Sequence, residues 1–573
     1  MRISIWISAA AVLALCASAA SAQRPLDAVH AVFEARQAVD YAAAVGDYLV
    51  HVERAGTPDA SPDLARDLAQ LALVVPDELV DRLAAPDPAL GRDLAAWWRR
   101  QDPLPSTPLN ERALEHLLRV ATARESFGSG DDAGFDARGE TLVRFGPPTR
   151  RRVIDVESDL FIARAIREES AIRRSDFPRN EAWHYPALGP DVYFLFVERR
   201  GRYEDAEPVD LLPRALWAGG MSYETVSRAR LLGQTIRWIY KDLHTYSADI
   251  RNRTLTFDAA VGGDGVAFEG NTALVIQNEF QRARQADAIA REARDAALPE
   301  ASTSVRSGPF GVARRTAVFL DGPVGEGPLS VWAGWAPIPS QLAGVADSLL
   351  ALGLSPEQYL IAQSALALGP GYEREEEQRA AVPAQPARTV WSIADAVPLG
   401  GHAAFEWDLY PADDAGQIVP PGAVAADVLW IDSVDVAQAG DVALSGLLPV
   451  DVDRALALNE PDRYGGLPPP RTPGPIGTGE SVAVYFEVYG RRPGVEVQIE
   501  VRAVQVRAGR ILRRGAAVAT GSSVRATLDE PRRPELAVVD VADLEGADEL
   551  RIEVVVTDLD ADVRVRQSVT FDV

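Results

Sequence analysis

The chain has 573 residues, with 58 Lys and Arg against 83 Asp and Glu, a formal charge of −25 and a single cysteine. That acidity argues against nucleic acid or an anionic membrane face as the main partner. The one cysteine, Cys16, excludes an intrachain disulfide, and the residues after it hold neither a thiolate nucleophile nor a cysteine-ligated metal.

Residues 1–22 have the three parts of a secretory signal: Arg2, an apolar stretch over 3–15, and Ala20-Ser21-Ala22 before Gln23. Cleavage is expected after Ala22, and Leu15 is not the small residue that a lipoprotein signal wants before its cysteine. No later segment is apolar for long enough to span a membrane, so the expected location is the periplasm or the medium. Residues 23–126 read as helical. Phe33, Val39, Tyr41, Val45 and Tyr48 have helical spacing within 31–52, and Ser61-Pro62 is a helix start ahead of Leu64, Leu68 and Leu71. A helix over 94–100 closes before Asp102-Pro103-Leu104-Pro105, and another runs over 110–127.

Residues 127–300 read as a small α+β unit with helices after it. A strand is expected at 140–145, stopped by Gly146-Pro147-Pro148. Two more are expected at 181–185 and 191–198, then helices at 222–243 and 273–298. Gly262-Gly263-Asp264-Gly265 follows a strand-like stretch and lacks the Lys and Ser/Thr of a phosphate loop, so it reads as a hairpin turn. Residues 304–455 read as an irregular β-sandwich: a hairpin of 315–320 with 329–337, and strands at 403–410, 423–431 and 442–447. A helix at 356–368 and a charged, Pro-rich stretch at 370–387 interrupt it. Residues 456–477 have the Pro/Gly composition of a semi-rigid linker. In 478–573, Val482, Val484, Phe486 and Val488 alternate, as do 495–504, 550–556 and 563–573, which predicts an antiparallel β-sandwich. The fold class is multidomain α+β: a helical N-terminal region, a small α+β domain and two antiparallel β-sandwiches.

Candidate chemistry is sparse. Glu181, Trp183 and Tyr185 share one face of a strand. A glutamate beside two aromatics either pairs with Arg138 or Arg144 or lines a ligand groove. Asp558, Asp560 and Asp562 alternate as ligands of a calcium-like cation do, without the glycine and distal glutamate of an EF-hand, or they form a polar turn. His30, His51, His116, His184, His244 and His402 lack the spacing of a zinc-binding helix, and Glu181 and His184 point to opposite sides of their strand. No Gly-x-Ser-x-Gly elbow falls between a strand and a helix, and no cofactor is implied.

Three stretches together resemble the GWxTD-domain proteins, a family of exported bacterial proteins. They are the segment from Trp97-Trp98-Arg99-Arg100-Gln101-Asp102-Pro103 to Asn110-Glu111, the run Arg138-Gly139 through Gly146-Pro147-Pro148, and Glu181-Ala182-Trp183-His184-Tyr185. Val484-Tyr485-Phe486-Glu487-Val488-Tyr489 resembles the opening strand of the β-domain common in that family. The name motif is replaced by Gly134-Phe135-Asp136-Ala137, so any chemistry of its Thr-Asp pair is absent here. The family carries no established activity, so the resemblance implies architecture and export. The functional expectation is a non-enzymatic interaction or scaffold protein of the cell envelope whose partner is another envelope protein or a glycan. An extracytoplasmic hydrolase or carbohydrate-binding protein is the alternative.

Overall fold

A computed structural model describes residues 24–57, 63–83, 89–155, 174–213, 216, 225–261, 272–297, 315–321, 324–335, 339–351, 358–383, 390–413, 417–418, 423, 425–453, 471, 476–477, 479–507, 510–514, 523–541 and 548–573. The signal segment, Ser61-Pro62, Gly262–265 and most of 456–477 lie outside the described residues. The chain divides into two units, one of residues 1–94 with 112–303 and one of 95–111 with 304–573. Their division falls within one helix and at the start of the next.

In the first unit, α1 (Leu26–Glu34), α2 (Tyr41–Glu53), α3 (Leu64–Leu71), α4 (Asp77–Leu83) and the start of α5 (Leu90–Arg100) form the N-terminal helical layer. Val29 and Phe33 of α1 and Val45, Tyr48 and Val52 of α2 are its buried stripe. The helical stretch over 31–52 is broken. Arg36 adopts φ 54°, and the amides of Arg36 and Gln37 bond the Phe33 and Val32 carbonyls at 3.1 and 3.0 Å. That is a Schellman stop with arginine where glycine is usual.

After α6 (Glu111–Phe127) comes α7 (Ala137–Phe145), where the sequence predicts a strand at 140–145. The correction has a local cause and a tertiary one. Asp136 caps the helix by accepting the Arg138 amide at 3.0 Å, and Gly146 ends it at φ 75° with its amide on the Leu142 carbonyl. The buried Arg119 of α6 then donates to the Val143 and Arg144 carbonyls at 3.0 and 3.3 Å, satisfying the helix end from another element. Gly139 is needed for close approach: a Cβ there would lie 2.6 Å from the Phe135 side chain.

An antiparallel sheet of β1 (Arg150–Arg152), β2 (Asn180–His184), β3 (Tyr193–Arg199) and β4 (Arg202–Asp205) follows in that order. Leu195 and Val197 pack on Ile236, Ile239 and Tyr240 of α8 (Thr225–Leu243), with α9 (Ala248–Val261) and α10 (Thr272–Ala297) beside it. The strand-like stretch before Gly262 is helix α9. Its buried residues Ile250, Thr254 and Phe257 recur at helical spacing.

The second unit, beyond residues 95–111, contains β5 (Arg315–Leu320), β6 (Leu329–Trp335), α11 (Pro339–Ala351), β7 (Gln358–Leu368), β8 (Arg374–Pro383), β9 (Val390–Val397), β10 (His402–Ala412) and β11 (Ala425–Ile431). It continues with β12 (Ala437–Ala439), β13 (Val442–Leu444), β14 (Leu448–Val450), β15 (Ser481–Gly490), β16 (Val495–Arg507) and β17 (Arg510–Arg514), then β18 (Ser523–Leu528), β19 (Arg532–Asp540), β20 (Glu549–Asp558) and β21 (Val563–Asp572). The sheets are β5-β6-β9, β11-β10-β7-β8, β12-β13-β15-β14 with β19 on β15, and β17-β16-β20-β21 with β18 on β16. Strands from both sides of residues 456–477 therefore share one sheet.

Three apolar layers join these four sheets. Leu320, Val331 and Ala333 of β5 and β6 pack on Ile361, Phe405 and Trp407. Their other face, with Ala317, Phe319 and Trp332, meets Leu448, Val450 and Tyr485. Val482, Val484, Phe486 and Val488 turn to β16 and β20. The helix expected at 356–368 is strand β7 instead. Its Ala, Leu and Gln are good helix formers, but pairing with β10 on one side and β8 on the other overrides that preference. The charged stretch at 370–387 contains β8, an exposed edge strand whose charges oppose pairing with other chains.

Because β15 is buried on both faces, its outward polar residue is enclosed as well. Glu487 is 0% exposed and receives the Tyr485 hydroxyl at 2.5 Å, the Tyr489 hydroxyl at 2.7 Å and an Arg532 guanidinium at 3.0 Å. Replacing it by alanine removes the acceptor of two buried tyrosine hydroxyls and of a partly exposed arginine. Glu487→Ala is expected to lower stability by about 3–5 kcal/mol and Glu487→Gln by less, read as shifts in the urea midpoint.

Candidate functional site

Alternate residues of β2 point to one side, which places Glu181 and Trp183 together. The Glu181 carboxylate accepts Arg138 Nη1 at 2.8 Å, Arg151 Nε at 2.6 Å, Arg151 Nη2 at 2.8 Å and the Trp183 indole N–H at 3.0 Å. Arg138 comes from the first turn of α7 and also donates to its cap Asp136 at 2.7 Å. Its guanidinium lies 3.5 Å from the Tyr203 ring centre and 4.7 Å from that of Phe127. Trp183 is buried between Phe127 and Phe196 at 5.5 and 5.0 Å.

Of the four residues singled out in the sequence, three therefore meet and one does not. Tyr185 lies apart, buried, with its hydroxyl on the Gly146 carbonyl at 2.8 Å and its ring against Phe145 and Phe194. Arg144 instead lies over the Phe145 ring. Arg151, Asp136 and Tyr203 were missed. Arg151 had a signal in the Arg150-Arg151-Arg152 run, but only the β1–β2 register sets it opposite Trp183. His184 faces the other way and stacks on Tyr246 at 4.5 Å, and burial and Arg150 lower its pKa. Desolvation pushes the Glu181 carboxyl up, but the bonds from Arg151, Trp183 and Arg138 outweigh it and hold the group below its ordinary value. A carboxylate has about four acceptor positions, and four donors occupy these. Glu181 thus acts as a clamp joining α7, β1 and β2.

At the β20–β21 turn, Asp558 Oδ1 accepts the amides of Asp560 and Ala561, both at 3.0 Å, and Asp562 takes φ 51°. The alternating aspartates are used to shape the turn. Among the described residues, no three His, Cys, Asp or Glu side chains are grouped to hold a metal ion.

Clefts open among the described residues of the first unit, and two of them are polar. One, of about 380 Å³, is lined by Tyr193, Glu207, Arg253, Asp287, Arg291 and Arg294 among others. Its buried Asp287 is ion-paired with Arg253 and accepts the Tyr240 hydroxyl at 2.6 Å. Burial pushes Tyr193 up to about 12. The second, of about 800 Å³, has His30, Asp67 and Arg124 in its wall and the acidic side chains of Asp27, Glu34, Asp63, Asp131 and Asp132 around it. His30 Nε2 lies 2.8 Å from Asp67 Oδ1, and the Asp67 side chain is buried. Beside them, Gln70 donates to the Ala133 carbonyl at 2.7 Å and accepts Arg124 at 3.2 Å. The two side chains approach closely at a polar cleft, though His30 Nε2 makes no hydrogen bond there. Sequence reading passed over the pair because the two residues come from different helices with no local spacing between them.

No family model matches the chain, and no curated protein matches it. Among solved structures, a beta-glucuronidase from Bacteroides uniformis is 9% identical, the alignment covering 48% of this chain and 29% of that one at a TM-score of 0.20. A red sea bream transglutaminase is also 9% identical, over 54% of this chain and 36% of that one, at a TM-score of 0.15. The chain thus spans about a third of the length of these structures. Likeness this slight carries no argument about fold or activity.

The clamp makes a prediction with a sign. A depressed carboxyl pKa adds stability above the ordinary carboxylate range, and that stability is lost as pH falls through the folded-state value. Glu181→Gln is therefore expected to cost on the order of 1–3 kcal/mol at pH 7 and to flatten the acid limb of a urea-midpoint profile between about pH 7 and 3. Arg151→Ala, at a half-exposed partner, is expected to cost under about 1 kcal/mol. Equal acid loss in Glu181→Gln and the parent would remove the clamp from the account.

Proposed function

We propose that this chain is an exported interaction or scaffold protein of the bacterial cell envelope, acting in the periplasm or outside the cell by binding. The signal-like residues 1–22 and the resemblance to GWxTD-domain proteins support the location. The observation that carries the binding reading is the acidic cleft of about 800 Å³. Asp27, Glu34, Asp63, Asp131 and Asp132 outnumber Arg66 and Arg124 around it, which suits a basic segment of another envelope protein. By contrast, the best groove residues in the sequence, Arg138, Glu181 and Trp183, are spent on one another.

A second reading, an extracytoplasmic hydrolase or carbohydrate-binding protein, has one observation in its favour. An imidazole and a carboxylate, His30 and Asp67, stand 2.8 Å apart in the wall of the same cleft, residue types that serve general acid–base chemistry.

The two separate in one set of measurements. The tagged mature protein is expected to capture a partner from the envelope of its own host. Asp27→Asn, Asp131→Asn and Asp132→Asn combined should weaken that capture about tenfold or more, as should raising the salt concentration. Capture insensitive to both changes would remove the cleft as the binding surface. Turnover of a glycan or peptide that disappears in His30→Ala would select the second reading.

A further inference from the structure

The cleft of about 380 Å³ in the first unit lies where the start of β3, the segment after β4, the start of α9 and the later half of α10 meet. It shares no lining residue with the acidic cleft. Several of its polar groups are already engaged. The buried Asp287 of α10 is ion-paired with Arg253 of α9 and accepts the Tyr240 hydroxyl. Arg294 donates to the Tyr193 carbonyl at 2.7 Å and lies over the Phe194 ring. Asp191 receives the Ala248 amide at 2.6 Å, which ties the start of α9 to the cleft.

Two groups in the cleft are not engaged in this way. Arg291 stands 3.7 Å from Asp205 and 3.7 Å from Glu207, within ion-pairing range and too far to hydrogen-bond either, with its side chain 41% exposed. The Tyr193 side chain lines the same cleft, and its hydroxyl makes no hydrogen bond to the described residues. Burial holds the Glu207 carboxyl above its ordinary value against the pull of Arg291. Between these polar groups the wall is apolar, with Val192, Ala206, Pro208 and Ile250.

The charges decide what kind of molecule fits. A simple anion on Arg291 would take from Glu207 the guanidinium it pairs with, and would meet the field of a chain at −25. A simple cation would face Arg291 itself. A zwitterion gives a carboxylate to the loosely held guanidinium and an ammonium to the carboxylate thereby released, at no net charge. The size is also limiting. One water takes up about 30 Å³ of liquid, so the cleft has room for about a dozen groups of that size, the scale of a single amino acid.

We propose that this cleft binds a free α-amino acid with an apolar side chain. Its carboxylate meets Arg291 and the Tyr193 hydroxyl, its ammonium meets Glu207, and its side chain lies against Ala206, Pro208 and Ile250.

Equilibrium dialysis of the full chain against radiolabelled leucine, valine and phenylalanine tests the site. At least one of the three is expected to bind with a dissociation constant of about 1 mM or tighter. Its N-acetyl and carboxamide derivatives, each lacking one charge, should bind about tenfold more weakly or worse. Arg291→Ala should weaken the amino acid by about tenfold or more and Tyr193→Phe by about two- to tenfold. Both variants should keep the parent's circular dichroism, because alanine suits an exposed helix position and phenylalanine keeps the ring. No saturable binding of any of the three below about 10 mM overturns the proposal. So does equal binding of the amino acid and its two derivatives, or binding that both folded variants retain in full.

Discussion

A carboxylate taken out of water must find donors to replace the water it lost, or it gives up its charge. Much of this molecule is arranged around that constraint. Glu181 and Glu487 meet it in the same way, each on a strand with aromatic residues two positions away. The period of two that defines a strand puts the indole of Trp183 beside one glutamate and the hydroxyls of Tyr485 and Tyr489 beside the other. Arginine from a neighbouring strand completes each set, Arg151 for Glu181 and Arg532 for Glu487.

The consequence for function is a reversal of emphasis. A glutamate between aromatics looks like a recognition surface when read along a strand. Here the strand face turns inward and the polar tips bind one another, so the same residues serve as fasteners. Open polar space is found elsewhere in the first unit, as where the buried Asp67 meets His30 beside an acidic rim. Its residues were dispersed through the sequence, and nothing local distinguished them from ordinary surface charge.

Strand β15 shows how far a single element can organise a unit. One face contributes Val482, Val484, Phe486 and Val488 to the layer with β16 and β20, and the other packs Tyr485 on Phe319. Sheets joined through such a strand are not separable sandwiches side by side; they are successive layers sharing cores. The alternating residues announced the strand clearly. That both of its faces are covered depends on β5 and β6, more than 140 residues earlier in the chain.

The sequence by itself determined the helices with strong apolar periodicity, such as α6, α8 and α10, and the strands with clean alternation, such as β15, β20 and β21. Those patterns are local, and burial of one stripe or one face is enough to select them. It also placed Glu181 and Trp183 on one face, with Arg138 or Arg144 as the partner. At 137–145 the Asp136 cap and the Gly146 stop are local signals for a helix, and the tertiary structure adds Arg119 from another element on its last carbonyls. Only the tertiary structure decided that β7 is a strand, since an alanine-rich segment of good helix formers yields when partners wait on both sides. The close approach of His30 to Asp67 has the same origin. Periodicity reports which way a side chain points, and only packing reports what it meets there.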